Sequence, residues 1–105
     1  MARKLTIGAA QLGPIAKNEG RAAVVERLLT LLRKAAAREC KLIVFPELAL
    51  TTFFPRYIYD TPEEYDQFYE EGLPSPAMKP LFDEAARLGV GFYLGYAEKI
   101  TEGGQ

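Results

Sequence analysis

One carboxylate stands out by its place in the chain. Glu47 comes directly after Phe45-Pro46, where the apolar run Leu42-Ile43-Val44-Phe45 stops. Proline fixes its own φ and restricts the residue before it, so Glu47 is predicted to sit on a stiff corner between a strand and a loop. In open α/β sheets, functional groups gather at the carboxyl ends of the strands, and this corner lies at such an end. Phe45, Phe53 and Phe54 are close in sequence. A carboxylate held among apolar groups has a reason to become a stronger base than free Glu, which is general-base chemistry. The competing reading of the same spacing is a solvated strand-end carboxylate with no catalytic task.

The composition narrows what such a base could serve. The 105 residues contain no His, which removes Ser-His-Asp and Cys-His pairs and any imidazole metal site unless a partner chain supplies the ring. The single Cys excludes an internal disulfide and a Cys-cluster zinc site. That residue, Cys40, lies on the amino-terminal side of its strand, the wrong edge of a sheet for a site containing Glu47. It reads as a small packing residue or an exposed bystander. Arg56 could bind an acidic substrate group, but beside Pro55 it reads equally as a surface charge. Tyr57, Tyr59, Tyr65 and Tyr69 fit an aromatic packing layer or a subunit contact better than a cofactor box. Neither glycine-rich phosphate-loop pattern occurs. The net charge is −1, which gives no electrostatic reason to expect nucleic acid or an anionic membrane as partner. With 49% hydrophobic and 26% charged residues, the chain has the balance of a globular domain. No run approaches the roughly 18 apolar residues of a membrane span. The N-terminal Leu5-Thr6-Ile7-Gly8-Ala9-Ala10 alternates like a strand instead of a secretory segment, so a cytoplasmic location is expected.

The elements that must position Glu47 follow from periodicity. Residues 4–12 read as a first strand closed by Gly13-Pro14. Asn18 is predicted to cap a helix from Glu19 to about Arg38, with Val25, Leu28, Leu29, Leu32, Ala35 and Ala36 as its apolar stripe. Arg21, Arg27, Arg33, Lys34 and Arg38 form the other face, read as mostly solvated. Leu42 to Phe45, apolar without alternation, suits a strand buried on both faces. Strand, helix and strand make a βαβ unit with parallel strands. Residues 47–60 have no period yet are apolar and aromatic, so this loop must pack inward or line something.

Thr61-Pro62-Glu63-Glu64 has the form of a capping box that opens a short helix ending near Gly72. Ser75-Pro76 is predicted to start another helix, with stripe Met78, Leu81, Phe82, Ala85 and Leu88 and a stop at Gly89. Val90 to Ala97 is a third strand, expected to be parallel as well. Thr101-Glu102-Gly103-Gly104 reads as a hairpin turn whose second strand is missing. Residues 1–105 are therefore expected to be a single, incomplete α/β domain.

Phe45-Pro46-Glu47-Leu48-Ala49-Leu50-Thr51-Thr52-Phe53-Phe54-Pro55-Arg56 resembles the first catalytic motif of the nitrilase, or carbon–nitrogen hydrolase, superfamily. Ala9-Ala10-Gln11-Leu12-Gly13-Pro14-Ile15 is similar to that superfamily's first strand. The run Thr51-Thr52-Phe53-Phe54-Pro55, with Leu94-Gly95-Tyr96-Ala97-Glu98, resembles more narrowly the N-carbamoyl-D-amino acid amidohydrolases. The resemblance implies a four-layer α-β-β-α sandwich and a Glu-Lys-Cys triad that cleaves C–N bonds through a thioester-type intermediate. It implies an N-carbamoyl-D-amino acid as small-molecule substrate, and D-amino acid, ammonia and carbon dioxide as products. It further implies no metal or organic cofactor, and a homo-oligomer, dimer or tetramer. Glu47 alone matches a catalytic residue of the family, the general base. Phe53 and Phe54 are candidate substrate-binding residues. The Lys and Cys motifs are absent from this chain and Cys40 does not match the nucleophile, so the parent protein is expected to be an enzyme and the 105 residues alone to be inactive. The rival expectation is a small α/β binding or interaction module that uses the 47–60 loop for a partner.

Overall fold

In the computed structural model the described residues are 4–16, 18–53, 55, 61, 64, 67–70 and 75–97. They form β1 (Ile7–Ala9), α1 (Arg21–Ala37), β2 (Leu42–Val44), α2 (Lys79–Leu88) and β3 (Gly91–Tyr93). The three strands make one parallel sheet in the order β1-β2-β3. Ile7, Leu42 and Gly91 are in register, as are Gly8, Ile43 and Phe92, and then Ala9, Val44 and Tyr93. Each strand is shorter than its apolar run, but single bonds extend the pairing: Ala10 N–H donates to the Val44 carbonyl at 2.8 Å and Phe45 N–H to that of Tyr93 at 3.0 Å.

Both helices cover the same face of the sheet. Successive residues of a strand point to opposite sides, so Gly8, Ile43 and Phe92 share one. Gly8 lies against Ala35 and Cys40 at the end of α1, and Phe92 packs edge-on to Phe82 of α2 with centroids 5.1 Å apart. The core between the layers holds Val24, Val25, Leu28, Leu29 and Leu32 of α1 together with Ile43, Phe45, Met78, Leu81 and Ala85. Among the described residues no element covers the other face. Leu5, Ile7, Val44 and Tyr93 are exposed there. β2 was expected to be buried on both sides; among the described residues a layer packs on one of its faces, that of Ile43, and Val44 on the other is exposed.

Several helix boundaries also differ. Asn18 does not cap α1, which starts at Arg21 after Gly20 and has no side-chain cap. Ser75-Pro76 opens a turn, and α2 begins at Lys79. The Ser75 hydroxyl donates to Glu70 and is not available as a cap. Met78, Leu81 and Ala85 are buried as the stripe requires. Gly89 closes α2 with φ +68°, its N–H donating to Ala86 and that of Val90 to Ala85. The end of α1 repeats this bonding through Glu39, a non-glycine residue at φ +63°, with Glu39 N–H on Ala36 and Cys40 N–H on Ala35. At the Thr61 capping box the Thr61 N–H donates to Glu64 at 3.1 Å, which is half of the reciprocal pair. The remainder of that short helix, and the Thr101–Gly104 turn, lie outside the described residues.

An ion-pair cluster joins the two helices. Arg87 donates through two nitrogens to the two oxygens of Glu84, at 2.8 and 2.7 Å, and Arg33 of α1 reaches the same carboxylate at 2.8 Å. The Arg87 bonds first, and the Arg33 bond second, hold the Glu84 carboxyl at about 2 against its usual 4.5. The folded value lies below the unfolded one, so this contribution is complete above about pH 4.5 and is lost as pH falls toward 2. Glu84→Gln should therefore flatten the loss of stability across that window relative to the parent, as read by thermal melts at stepped pH. Parallel curves for the two proteins would contradict the cluster.

Candidate active site

Pro46 has no N–H to give to the sheet, so pairing lapses there and the chain turns. On either side of the turn the backbone is tied to the stretch that continues β3: Phe45 N–H to the Tyr93 carbonyl and Ala49 N–H to the Gly95 carbonyl, both at 3.0 Å. Glu47 stands between these two anchors, at the carboxyl edge of the parallel sheet. The loop that follows packs inward at first, with Ala49, Leu50, Thr51 and Thr52 buried. Phe53 then turns out to solvent.

Glu47 opens onto a cleft of about 460 Å³. One wall is Glu47, Thr51, Thr52 and Phe53, and the other is the segment 9–15 that leaves β1. Gly13, at φ +80°, makes the turn in that second wall possible. Arg27 pins it from behind, donating to the carbonyls of Leu12 at 2.7 Å and Pro14 at 3.2 Å while pairing with Glu19. The Arg27 bond holds the Glu19 carboxyl below the usual carboxylate range. Arg27 is thus no solvated surface charge, as its place on the helix suggested, but a brace for the cleft.

The structure brings Glu47 and Phe53 to one cleft. Phe54, Arg56, Tyr57, Tyr59 and Tyr65 lie outside the described residues. The close apolar surrounding expected for Glu47 is not formed by the described residues. Phe45 turns its ring into the helix-side core against Phe92, and Glu47 remains exposed to the cleft. Among the described residues its carboxylate has no hydrogen-bond or ion-pair partner. Cys40 is buried at the opposite, amino-terminal end of β2, beside Gly8. Among the described residues no three Cys, Asp or Glu side chains come together as metal ligands would. None of the described helices is long and apolar enough to cross a membrane.

Sequence reasoning missed an ion pair with a buried carboxylate. Glu70 is only 3% exposed. One of its oxygens pairs with Arg21 Nε and the other accepts the Ser75 hydroxyl at 2.8 Å. Arg21 also donates to the carbonyls of Gln67 at 2.6 Å and Tyr69 at 3.4 Å, and Glu70 N–H donates to Ala97 at 2.7 Å. The start of α1, the segment 67–70 and the chain beyond β3 are thereby joined. A signal for it was present: a cation in the first turn opposes the helix dipole, so Arg21 called for an acidic partner from elsewhere.

A family model described as carbon-nitrogen hydrolase matches residues 6–105, nearly the whole chain.

Proposed function

The chain belongs to the carbon-nitrogen hydrolase family, and from that premise we propose that Glu47 is the general base of a cysteine-dependent C–N hydrolase whose nucleophile is not among these 105 residues. The observation that carries the reading is the placement of Glu47. It stands at the carboxyl edge of a parallel sheet, faces a cleft, and has no partner among the described residues that would occupy its lone pairs.

A thiol of ordinary pKa is mostly protonated at neutral pH and needs a base beside it. Glu47 takes that proton as sulfur attacks the carbonyl carbon. The proton then passes to the departing nitrogen, which leaves a thioester-type intermediate and returns Glu47 to its carboxylate form. The same carboxylate next removes a proton from water, which attacks the intermediate; the proton returns to sulfur as the thiol leaves, and the carbamic acid so formed loses carbon dioxide to give the second amine. A Lys from elsewhere in the protein stabilises the tetrahedral species. Cys40 takes no part, being at the other end of the strand, and the 105 residues by themselves are inactive.

The substrate we propose is an N-carbamoyl-D-amino acid, hydrolysed to the D-amino acid, ammonia and carbon dioxide. The Thr51-Thr52-Phe53-Phe54-Pro55 and Leu94-Gly95-Tyr96-Ala97-Glu98 runs support this branch. Phe53, on the cleft wall, and its neighbour Phe54 are assigned to substrate binding. The apolar sheet face opposite the helices, which no described element covers, supports an α-β-β-α sandwich, since a second sheet stacked there would cover it. The reading carries with it a cytoplasmic homo-oligomer that uses no metal or organic cofactor.

Ammonia release from N-carbamoyl-D- and L-amino acids, a simple amide and a nitrile tests the assignment on the natural protein that carries this chain. The D-carbamoyl compound should be turned over preferentially. Hydrolysis of the nitrile or amide alone would move the protein to another branch of the family. Cys40→Ser should leave kcat per folded molecule almost unchanged, and an inactive, folded Cys40→Ser protein would show that the nucleophile is misassigned.

A further inference from the structure

Resting on Glu47 as the base, we infer that Gly95 is a positioning residue that sets where the Glu47 carboxylate stands. A Cβ placed on Gly95 would lie 3.2 Å from both Cβ and Cγ of Glu47 and 3.5 Å from its Cα. Carbon atoms at optimal contact are about 3.5–4.0 Å apart, so Glu47 already occupies the space that any larger residue at position 95 would claim. Conformation is not the reason for glycine here. Positive φ occurs at Gly13 and Gly89 among the described glycines, and Gly95 is not one of them. An alanine could take up its backbone angles, and among the described residues the three atoms nearest to its Cβ would all belong to Glu47.

The other described glycines serve different ends. Gly20 has open space around it, Gly91 faces Leu42 at an ordinary 3.7 Å, and Gly8 meets Cys40 on the core side. Gly95 is also bonded through its carbonyl to Ala49, two residues past the base. The same residue therefore fixes the backbone of the corner from one side and bounds the side chain with its bare Cα. Glu47 is exposed on its cleft side, so a methyl group at position 95 is relieved by shifting the Cβ–Cγ stem of Glu47 outward by a few tenths of an ångström, and the carboxylate moves with it. The base would then be displaced while the core stays intact.

The test is Gly95→Ala in the natural protein, with Glu47→Gln measured alongside. With Glu47→Gln inactive, Gly95→Ala should lower kcat by roughly three- to ten-fold, since a misplacement of about 1 Å costs about a hundred-fold and this one is a few tenths of that. KM and melting temperature should change little, a split that a merely structural glycine would not give. Near-parental kcat in Gly95→Ala, with Glu47→Gln still inactive, overturns the positioning role and leaves the base assignment standing. Full activity of Glu47→Gln removes the base and the role of Gly95 together. Should Gly95→Ala not fold, the pair is compared in Glu47→Gly, which lacks both contacted side-chain atoms. Folding restored there supports the contact, and continued failure overturns it.

Discussion

Glu47→Gln is expected to abolish turnover while leaving the fold intact. Gln has nearly the same shape and volume but cannot accept a proton at neutral pH. Glu47 is exposed and has no partner among the described residues, so no interaction with them is lost with the charge. General-base catalysis contributes about 10²- to 10⁴-fold, and here the same group acts twice, on the thiol and then on water. Loss of one member of a catalytic set typically removes orders of magnitude of rate. Steady-state ammonia release should therefore fall at least a thousand-fold, roughly, with far-UV spectrum and melting temperature unchanged. Near wild-type turnover would refute the assignment.

The second large effect concerns stability. Arg21→Ala should cost more than Glu70→Ala, although both break the same ion pair. The side chain of Arg21 is 28% exposed and that of Glu70 only 3%. Removing Glu70 leaves a guanidinium that still has the Gln67 and Tyr69 carbonyls and can recover some water. Removing Arg21 leaves a buried carboxylate with the Ser75 hydroxyl as its remaining side-chain donor among the described residues. Breaking a buried pair costs about 3–5 kcal/mol when the surviving charge stays dry, which sets about 3 kcal/mol for Arg21→Ala. About 2 kcal/mol is expected for Glu70→Ala, where the survivor rehydrates. Urea unfolding of both variants checks the order, and a larger loss in Glu70→Ala would contradict the burial argument.

What the sequence made legible is what depends on local spacing. The period of the stripe Val25-Leu28-Leu29-Leu32 placed α1, and Pro46 placed the corner on which Glu47 stands. The parallel order of the three strands followed from their alternation with helices. Gly89 marked the end of α2 because only its φ needed to be read, whereas Glu39 closes α1 in the same conformation and gave no such sign. The rest depends on partners distant in the chain. Arg21 meets Glu70 49 residues away, and Gly95 meets Glu47 across the sheet edge. No periodicity encodes either encounter. Arg27 escapes a sequence reading for a related reason: besides Glu19, it bonds the carbonyls of Leu12 and Pro14, which sequence does not distinguish from solvent. The apolar run at Val44 reports that β2 can be covered on both faces, and the described residues supply the layer for one of them.

Single-turnover chemistry in Glu47→Gln tests the central assignment most directly. With enzyme in excess over an N-carbamoyl-D-amino acid, the first amine released and any mass added to the protein are followed in time. If Glu47 deprotonates the nucleophile, the variant should release no rapid first amine and gain no covalent adduct, where the parent protein does both. A stoichiometric burst with a stable adduct in the variant would show that sulfur attacks without Glu47, and the carboxylate would not be the base that activates it.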